Sequence, residues 1–157
     1  NLGAMARQSL PAQGAVRLPW GGENTVLPMV SAEDVARVAV GLLTSPKLIP
    51  GTAYPLIGAT ISLKEIIATF ARVLGRNIRY EEISDEEWKA NAASRGYNEH
   101  AIAHLSSLWK ALRSAAIDPN DPRYGVSGTI ESIGGAKPKS FEAFVREGQS
   151  ELLAKAS

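Results

Sequence analysis

The chain has 157 residues, 45% hydrophobic and 21% charged, values that are typical of a globular domain and exclude a disordered or fibrous chain. Its 17 basic and 16 acidic residues give a net charge of +1, and no run of Lys or Arg is long enough to follow a phosphate backbone, which argues against nucleic acid as a partner. There is no cysteine, which excludes disulfides, thiolate metal sites and cysteine nucleophiles.

The first ten residues, NLGAMARQSL, predict a helix that is entered partway along. Leu2, Met5, Ala6 and Leu10 share one helical face, and neither an initiator Met nor a capping residue precedes that face. We therefore expect the chain to lack its natural beginning. These residues also lack the apolar core of a signal peptide, and no apolar run in the chain reaches bilayer length, so we expect a cytoplasmic protein without a membrane partner.

Two short strands and a helix are predicted next. Gly14 to Trp20 alternates in polarity, and Thr25 to Val30 is an apolar run that predicts a buried strand. Ser31 is a favourable N-cap, with Asp34 three positions later, for a helix that ends before Pro46. The predicted apolar face of this helix consists of Val35, Val38, Ala39, Leu42 and Leu43.

Thr52 to Gly58 predicts a third strand, and the helix after it carries unusually consistent signals. Ser62 and Glu65 form a capping box, and Gly75 supplies the C-terminal stop. The predicted apolar face consists of Leu63, Ile66, Ile67, Phe70, Val73 and Leu74. Asn77 to Ile83, rich in β-branched and aromatic residues, predicts a fourth strand.

Two further helices follow that strand. Ser84 with Glu87 forms a capping box for the first, which reaches Gly96. Asn98 begins the second and longest helix, which ends before Pro119. Its predicted apolar face consists of Ile102, Leu105, Leu108, Trp109 and Leu112.

The segment from Pro119 to Lys139 is rich in glycine and proline and predicts a surface loop with room for one short strand. Ser140 then caps a last helix in which Phe141, Phe144 and Val145 face inward. About five helices interleaved with three or four short strands indicate an α/β or α+β class.

A strand followed by a helix is the arrangement of nucleotide-binding α/β proteins, yet the glycine-rich phosphate loop is missing. That loop needs glycines between a strand and a helix, so that backbone N–H groups can approach a pyrophosphate. Ser31 to Glu33 joins strand to helix without a glycine, and Gly125 to Gly135 has the wrong glycine spacing. We predict no cofactor-binding residue in this chain.

No catalytic residue and no metal site are predicted either. Each tyrosine lacks a lysine four positions later, so the Tyr-x-x-x-Lys pair of short-chain dehydrogenases is absent. His100 and His104 are spaced to share a metal ion, but no third ligand is implied, so solvent exposure is the favoured interpretation. Lys137 and Lys139 precede a helix N-terminus as a candidate anion site, for which a solvated turn is favoured.

Three segments in the same order resemble the C-terminal half of the NmrA-like branch of the atypical short-chain dehydrogenases/reductases. Val30 to Ala36 resembles the family's V-x-x-x-D-[VI]-A pattern, Tyr54 to Ser84 its central segment, and Gly134 to Glu147 its closing segment. Asn1 resembles the Asn that begins the family's substrate-side helix. The resemblance covers nearly the whole chain.

The resemblance implies an α/β fold in which residues 1–157 form the C-terminal, substrate-side half of an NmrA-like Rossmann-type protein. The phosphate-binding half, which holds NADP(H) or NAD(H) in an intact member, would be absent. The implied function is the substrate-binding portion of a reductase of quinones or other small aromatic compounds, not catalytic alone. The alternatives are a fragment of a non-catalytic NAD(P) redox sensor and a stand-alone oligomeric binding module.

Four residues are candidates for substrate contact. Asn1 and Met5 lie early on the opening helix, which would line the cleft, and Trp20 and Trp109 are candidate aromatic walls. For each tryptophan taken singly, a place in the core is the favoured alternative. A separated half would expose apolar surface, so we expect a homo-oligomer or association with the missing N-terminal half.

Overall fold

The computed structural model describes residues 6, 10, 14–45 and 51–154. The described residues form a mixed α/β structure, as predicted, with seven α-helices rather than about five. The strands are β1 (Ala15–Leu18), β2 (Val26–Met29), β3 (Ala59–Ser62) and β4 (Arg79–Glu82). The α-helices are α1 (Ala32–Thr44), α2 (Leu63–Leu74), α3 (Asp85–Ser94), α4 (Glu99–Ser114), α5 (Gly128–Gly134), α6 (Phe141–Glu147) and α7 (Gln149–Leu153), and a 3₁₀ helix covers Pro122–Tyr124.

The four strands form two small sheets. β1 pairs in parallel with β4, and β2 pairs antiparallel with β3, so that Met29 lies opposite Ala59. The strand predicted at Thr52 to Gly58 is wrong, since the strand lies at Ala59–Ser62 instead. Ile57 bonds to Ser127 and not to a strand. Its N–H donates to Ser127 Oγ at 2.8 Å, and its carbonyl accepts the Ser127 N–H at 2.7 Å.

Helix α2 lies at the centre of the core, and its predicted signals are confirmed. The Ser62 hydroxyl accepts the Glu65 N–H, the Glu65 carboxylate accepts the Ser62 N–H at 2.9 Å, and Gly75 ends the helix at φ +64°. Its buried residues are Leu63, Ile66, Phe70, Val73 and Leu74. The helix packs against β3, β4, α6 and α7, so the C-terminal helices of the described chain are held on it.

The apolar face predicted for α1 is largely wrong. Val38 is buried, but Val35 is 41% exposed and Leu43 is 82% exposed. The helix turns a different side inward, because Gly41 permits close contact with Ile133 of α5 and because the buried Asp34 carboxylate has polar partners. Strand β2 is also less buried than predicted, with Leu27 as its one buried residue.

The surface loop predicted from Pro119 to Lys139 is wrong in its second half. Residues between Gly128 and Gly135 form α5, which buries Ile130 completely against the protein and ends at Gly135 with φ +78°. Here the glycines delimit a short helix instead of marking a loop, since glycine at φ above zero is a common helix terminator. Helix α7 was not predicted, and on α4 Trp109 is buried whereas Leu108 is 47% exposed.

Candidate functional site

A groove of about 260 Å³ lies where the end of β2, the start of α1 and the start of α6 meet. We call it the α1–α6 groove. Its lining consists of Met29, Val30, Ser31, Ala32, Val35, Ala59, Lys139, Ser140, Phe141 and Phe144. A concave, mainly apolar surface with a few polar groups is the usual form of a small-molecule site.

One side of the groove depends on a close approach at Gly58. The Gly58 N–H donates to the Met29 carbonyl at 2.7 Å, where β3 begins opposite the end of β2. A Cβ added to Gly58 would lie 3.4 Å from the Cβ of Pro138 and 3.5 Å from the Met29 carbonyl oxygen, which are distances of ordinary van der Waals contact. The chain that leads into α6 therefore packs directly on the end of the β2–β3 pair.

The other side is an aromatic wall formed by Phe141 and Phe144. Their rings are nearly parallel, with centroids 6.0 Å apart. Phe141 also meets the fully buried Phe70 of α2 edge-to-face, with centroids 5.3 Å apart. Because edge-to-face pairs in a core are favourable contacts, the wall is attached directly to the hydrophobic core.

Asp34 is the buried charge beside the groove, with 1% of its surface exposed. Its Oδ2 accepts the Lys139 N–H at 2.9 Å, and its Oδ1 forms an ion pair with Arg37. Burial raises the pKa of Asp34, but hydrogen bonds from Lys139, Ser31 and Arg37 and the charge of Arg37 outweigh burial and hold the pKa below its ordinary value of 3.8. The carboxylate is therefore ionised at neutral pH.

Lys139 is the charged side chain in the groove lining, and two carboxylates hold it. Its ammonium pairs with Glu147 at 2.6 Å and with Glu33. Hydrogen bonds to Glu147 and then to Glu33 raise the pKa of Lys139, so it stays protonated and cannot act as a base. Since carboxylates already surround this ammonium, it is not available to an anion, which agrees with the favoured interpretation that Lys137 and Lys139 lie in a turn and form no anion site.

The hydroxyl groups of the groove are engaged as helix caps. Ser31 Oγ accepts the Asp34 N–H at 3.0 Å, and Ser140 Oγ accepts the Ala143 N–H at 3.1 Å. With both hydroxyls and Lys139 engaged, this lining is suited to holding a molecule, and no activated nucleophile or base arises from it.

Trp20 and Trp109, the predicted aromatic walls, are brought together in the core and do not line the α1–α6 groove. Each is 5% exposed, their ring centroids are 5.1 Å apart, and Trp88 lies 6.1 Å from Trp109. Within the described part of the chain, neither indole N–H of this pair has a hydrogen-bond partner. Asn1 and Met5 lie outside the described residues, and contact of these four residues with a ligand stays a prediction.

Sequence reasoning did not identify the groove itself. Phe141 and Phe144 were predicted to face inward, and Met29 and Val30 were assigned to a strand. The available signal was the short spacing from Pro138 through Phe141 to Phe144, which places two aromatic rings on the first turn of a capped helix.

The described residues do not fit the phosphate group of a dinucleotide. At the junction of β2 and α1, the Ser31 hydroxyl is already a cap and Glu33 brings a negative charge. The glycines at 125 and 128 lead from a 3₁₀ helix into α5, not from a strand into a helix. A pyrophosphate needs N–H groups in a glycine-rich turn between a strand and a helix, and neither of these two positions has such a turn.

Within residues 14–45 and 51–154, neither a metal centre nor a membrane-spanning helix is found. No group of three or more His, Asp or Glu side chains there could hold a metal ion, and His100 and His104 are both exposed. No helix in these ranges combines the length and apolarity needed to cross a bilayer.

The sequence model of the NmrA-like family matches residues 2–143 of the chain. The chain is 29% identical over 136 residues to prestalk A differentiation protein A of Dictyostelium discoideum, covering 86% of this chain and 42% of that protein. It is 29% identical over 143 residues to NAD(P)H azoreductase of Xenophilus azovorans (90% and 47%). It is 26% identical over 128 residues to agroclavine dehydrogenase of Claviceps fusiformis (81% and 42%). The chain thus spans less than half the length of each relative.

Two solved structures share the fold. A nucleoside-diphosphate-sugar epimerase from Staphylococcus aureus superposes with a TM-score of 0.71 at 20% identity, over 89% of this chain and 46% of that one. Triphenylmethane reductase from Citrobacter sp. superposes with a TM-score of 0.67 at 17% identity, over 95% of this chain and 47% of that one.

Proposed function

Because this chain belongs to the NmrA-like family, we propose that it is the substrate-binding portion of an NAD(P)-dependent reductase that acts on a quinone or another small aromatic compound. The observation that carries the proposal is the α1–α6 groove, with its Phe141–Phe144 wall and its apolar lining. The relatives named NAD(P)H azoreductase and agroclavine dehydrogenase support a reductase. In this proposal the chain binds substrate but is not catalytic alone.

The groove favours a small and neutral ligand. Its volume of about 260 Å³ is below the roughly 300–1,000 Å³ of drug-sized pockets, which suits one or two fused rings. The ammonium of Lys139 is already paired with Glu33 and Glu147. An uncharged aromatic molecule therefore enters without breaking an ion pair.

The reducing cofactor belongs, in this proposal, to an N-terminal Rossmann domain of an intact protein, where NADP(H) or NAD(H) would supply the hydride. The present residues orient the substrate. Asn1, Met5, Trp20 and Trp109 remain proposed contacts outside the groove. The indole N–H groups of Trp20 and Trp109 are buried and without partners among the described residues, so a quinone oxygen reaches these donors only if the rings move.

Titration of 1,4-naphthoquinone into the chain, followed by calorimetry, tests the groove. We expect saturable binding that Val35→Lys weakens about tenfold or more, because a charged lysine side chain would then lie in the apolar lining. Val126→Lys is the matched control, since Val126 is 59% exposed and does not line the groove. Equal affinity in both variants would place the quinone elsewhere, and no binding to the unmodified chain would contradict the proposed function. NADPH, followed by tryptophan emission, should show no micromolar saturation.

A stand-alone oligomeric binding module is the second candidate, and the exposed side of α1 favours it. Val40 is 60% exposed and Leu43 is 82% exposed. Leu43 lies one turn after Ala39, which is also exposed. Exposed apolar side chains in contiguous positions are typical of association surfaces. We propose that α1 joins two copies of the chain.

Sedimentation of the chain over a range of concentrations tests the association. We expect a dimer or larger that Leu43→Lys converts to a monomer, because a lysine in the contact would bury a charge. Val126→Lys replaces an exposed valine that lies outside α1 and should leave the oligomer intact. A monomer at every concentration would rule out this second candidate.

A further inference from the structure

We propose that Asp34 and Arg37 are positioning residues that hold the aromatic wall of the α1–α6 groove in its binding position. The inference rests on the proposed function, since it treats the groove as a ligand site. Asp34 does not line the groove itself. It acts through the segment that carries Phe141 and Phe144.

The position of the wall depends on how the chain enters α6. The helix has seven residues, which is too short for a helix to be stable without tertiary contacts, and residues 136–140 before it have no regular secondary structure. The Lys139 N–H donates to Asp34 Oδ2 at 2.9 Å. This bond fixes the backbone two residues before Phe141, so it sets where the wall begins.

Arg37 connects the same carboxylate to the end of α5. Its guanidinium donates to the carbonyl of Gly134 at 2.7 Å and to that of Ala136 at 3.3 Å, while it pairs with Asp34. Carbonyls at a helix C-terminus have no partner within the helix and need an outside donor. The planar guanidinium holds its N–H donors in a fixed fork, whereas an ammonium carries its donors on one atom at the end of a flexible stem.

The pair therefore joins three elements at one point: the first turns of α1, the end of α5 and the entry of α6. Asp34 is the charged residue that is fully buried in the described part of the chain. A buried ion pair often stabilises a core no more than apolar residues of the same size would. We therefore attribute the Asp34–Arg37 pair to the geometry that its directional bonds impose. Here that geometry determines the distance between the Phe141–Phe144 wall and Val35.

A second attachment keeps α6 on the protein when the pair is broken. Phe141 still meets Phe70 edge-to-face at 5.3 Å, and α6 packs on α2. Loss of the Asp34 bonds should thus move the wall without unfolding the chain. The link from Lys139 to Glu33 is weaker, since Glu33 is 58% exposed and exposed ion pairs contribute little.

The test uses the fact that the chain has three phenylalanines, Phe70, Phe141 and Phe144. Incorporation of 4-fluorophenylalanine gives one fluorine NMR signal from the core and two from the wall, assigned by single Phe→Leu replacements. In Asp34→Asn we expect the Phe144 signal to shift or broaden, and 1,4-naphthoquinone affinity to fall about tenfold. The near-UV circular dichroism of the tryptophan cluster should be unchanged.

Two further variants separate positioning from general stability. Arg37→Lys keeps the charge but loses the planar fork, and it should reproduce the Asp34→Asn result. Glu33→Gln removes an exposed carboxylate from the position before Asp34. Because exposed ion pairs contribute little, it should change the naphthoquinone affinity less than twofold. If Asp34→Asn changes the near-UV circular dichroism of the tryptophans, Arg37→Lys tests the positioning role instead, through the Phe144 fluorine signal and the naphthoquinone affinity.

The outcomes distinguish this inference from the proposed function. Unchanged fluorine signals or unchanged affinity in Asp34→Asn and Arg37→Lys would overturn the positioning role while the groove remains a binding site. If the unmodified chain binds no naphthoquinone, the proposed function fails, but the positioning role does not fail with it. The fluorine signals would then still show whether Asp34 holds the wall.

Discussion

Gly41→Ala should lower the free energy of unfolding by about 1–3 kcal/mol, the usual cost of overpacking a close contact. A Cβ on Gly41 would lie 2.9 Å from Ile133 Cγ2 and closer still to the Ile133 carbonyl oxygen. The carbonyl belongs to the α5 backbone and cannot rotate away as a flexible side chain does. Helices α1 and α5 would have to separate, and the contact that buries Val38 would loosen.

Gly128→Ala is the matched control, because Gly128 begins α5 and has nothing within 4 Å of an added Cβ. Alanine is the better helix former by up to about 1 kcal/mol, so this variant should be neutral or more stable. Urea denaturation followed by far-UV circular dichroism measures both. Similar free energies for the two variants would show that close packing of α1 on α5 is not what requires glycine at position 41.

Five of the seven helix starts in the described residues were predictable from the sequence, because each of the five depends on a bond that spans three residues. Ser31, Ser62, Ser84, Asn98 and Ser140 all accept an N–H from the residue three positions later. A hydroxyl or amide oxygen at the N-cap serves this purpose wherever the helix lies in the fold. Local chemistry is sufficient for such features.

The buried faces of the helices were not predictable in the same way. The pattern of α1 offered Val35 and Leu43 as an inward face, but that side is exposed. The inward side is chosen by α5, which the sequence presented as a glycine-rich loop. A hydrophobic period identifies a face that needs a partner, and it does not say which element supplies the partner.

The candidate site contains both predictable local features and contacts between distant residues that were not predictable. The N-caps Ser31 and Ser140 that border the groove were predicted, but the bond from Lys139 to Asp34 joins positions 105 residues apart. No local signal marks such a contact. Asp34 looked like an ordinary capping-turn carboxylate, since acidic residues are common in the first turn of a helix.

Trp109→Ala should lower the free energy of unfolding by about 3–5 kcal/mol, the usual cost of removing a buried Trp side chain. Trp109 is 5% exposed and meets both Trp20 and Trp88, with centroids 5.1 and 6.1 Å away. It is also the one fully buried residue of α4. The other apolar contacts of α4 with the core come from partly buried side chains, those of Ile102, Leu105 and Leu112. The Trp109 ring is therefore the most deeply buried contact of α4.

Leu108→Ala is the control for Trp109→Ala, because Leu108 is the neighbouring residue on α4 and is 47% exposed. It should cost less than about 1 kcal/mol, as surface changes usually do. Urea denaturation, with 1,4-naphthoquinone titration on the same samples, compares the core role of Trp109 with its proposed ligand contact. If Trp109→Ala keeps its stability and loses the quinone, the ring is a wall of the substrate site and not a structural anchor. If stability falls while Trp109→Phe still binds quinone with the unmodified affinity, the indole N–H is not a ligand donor, and the ring serves the core.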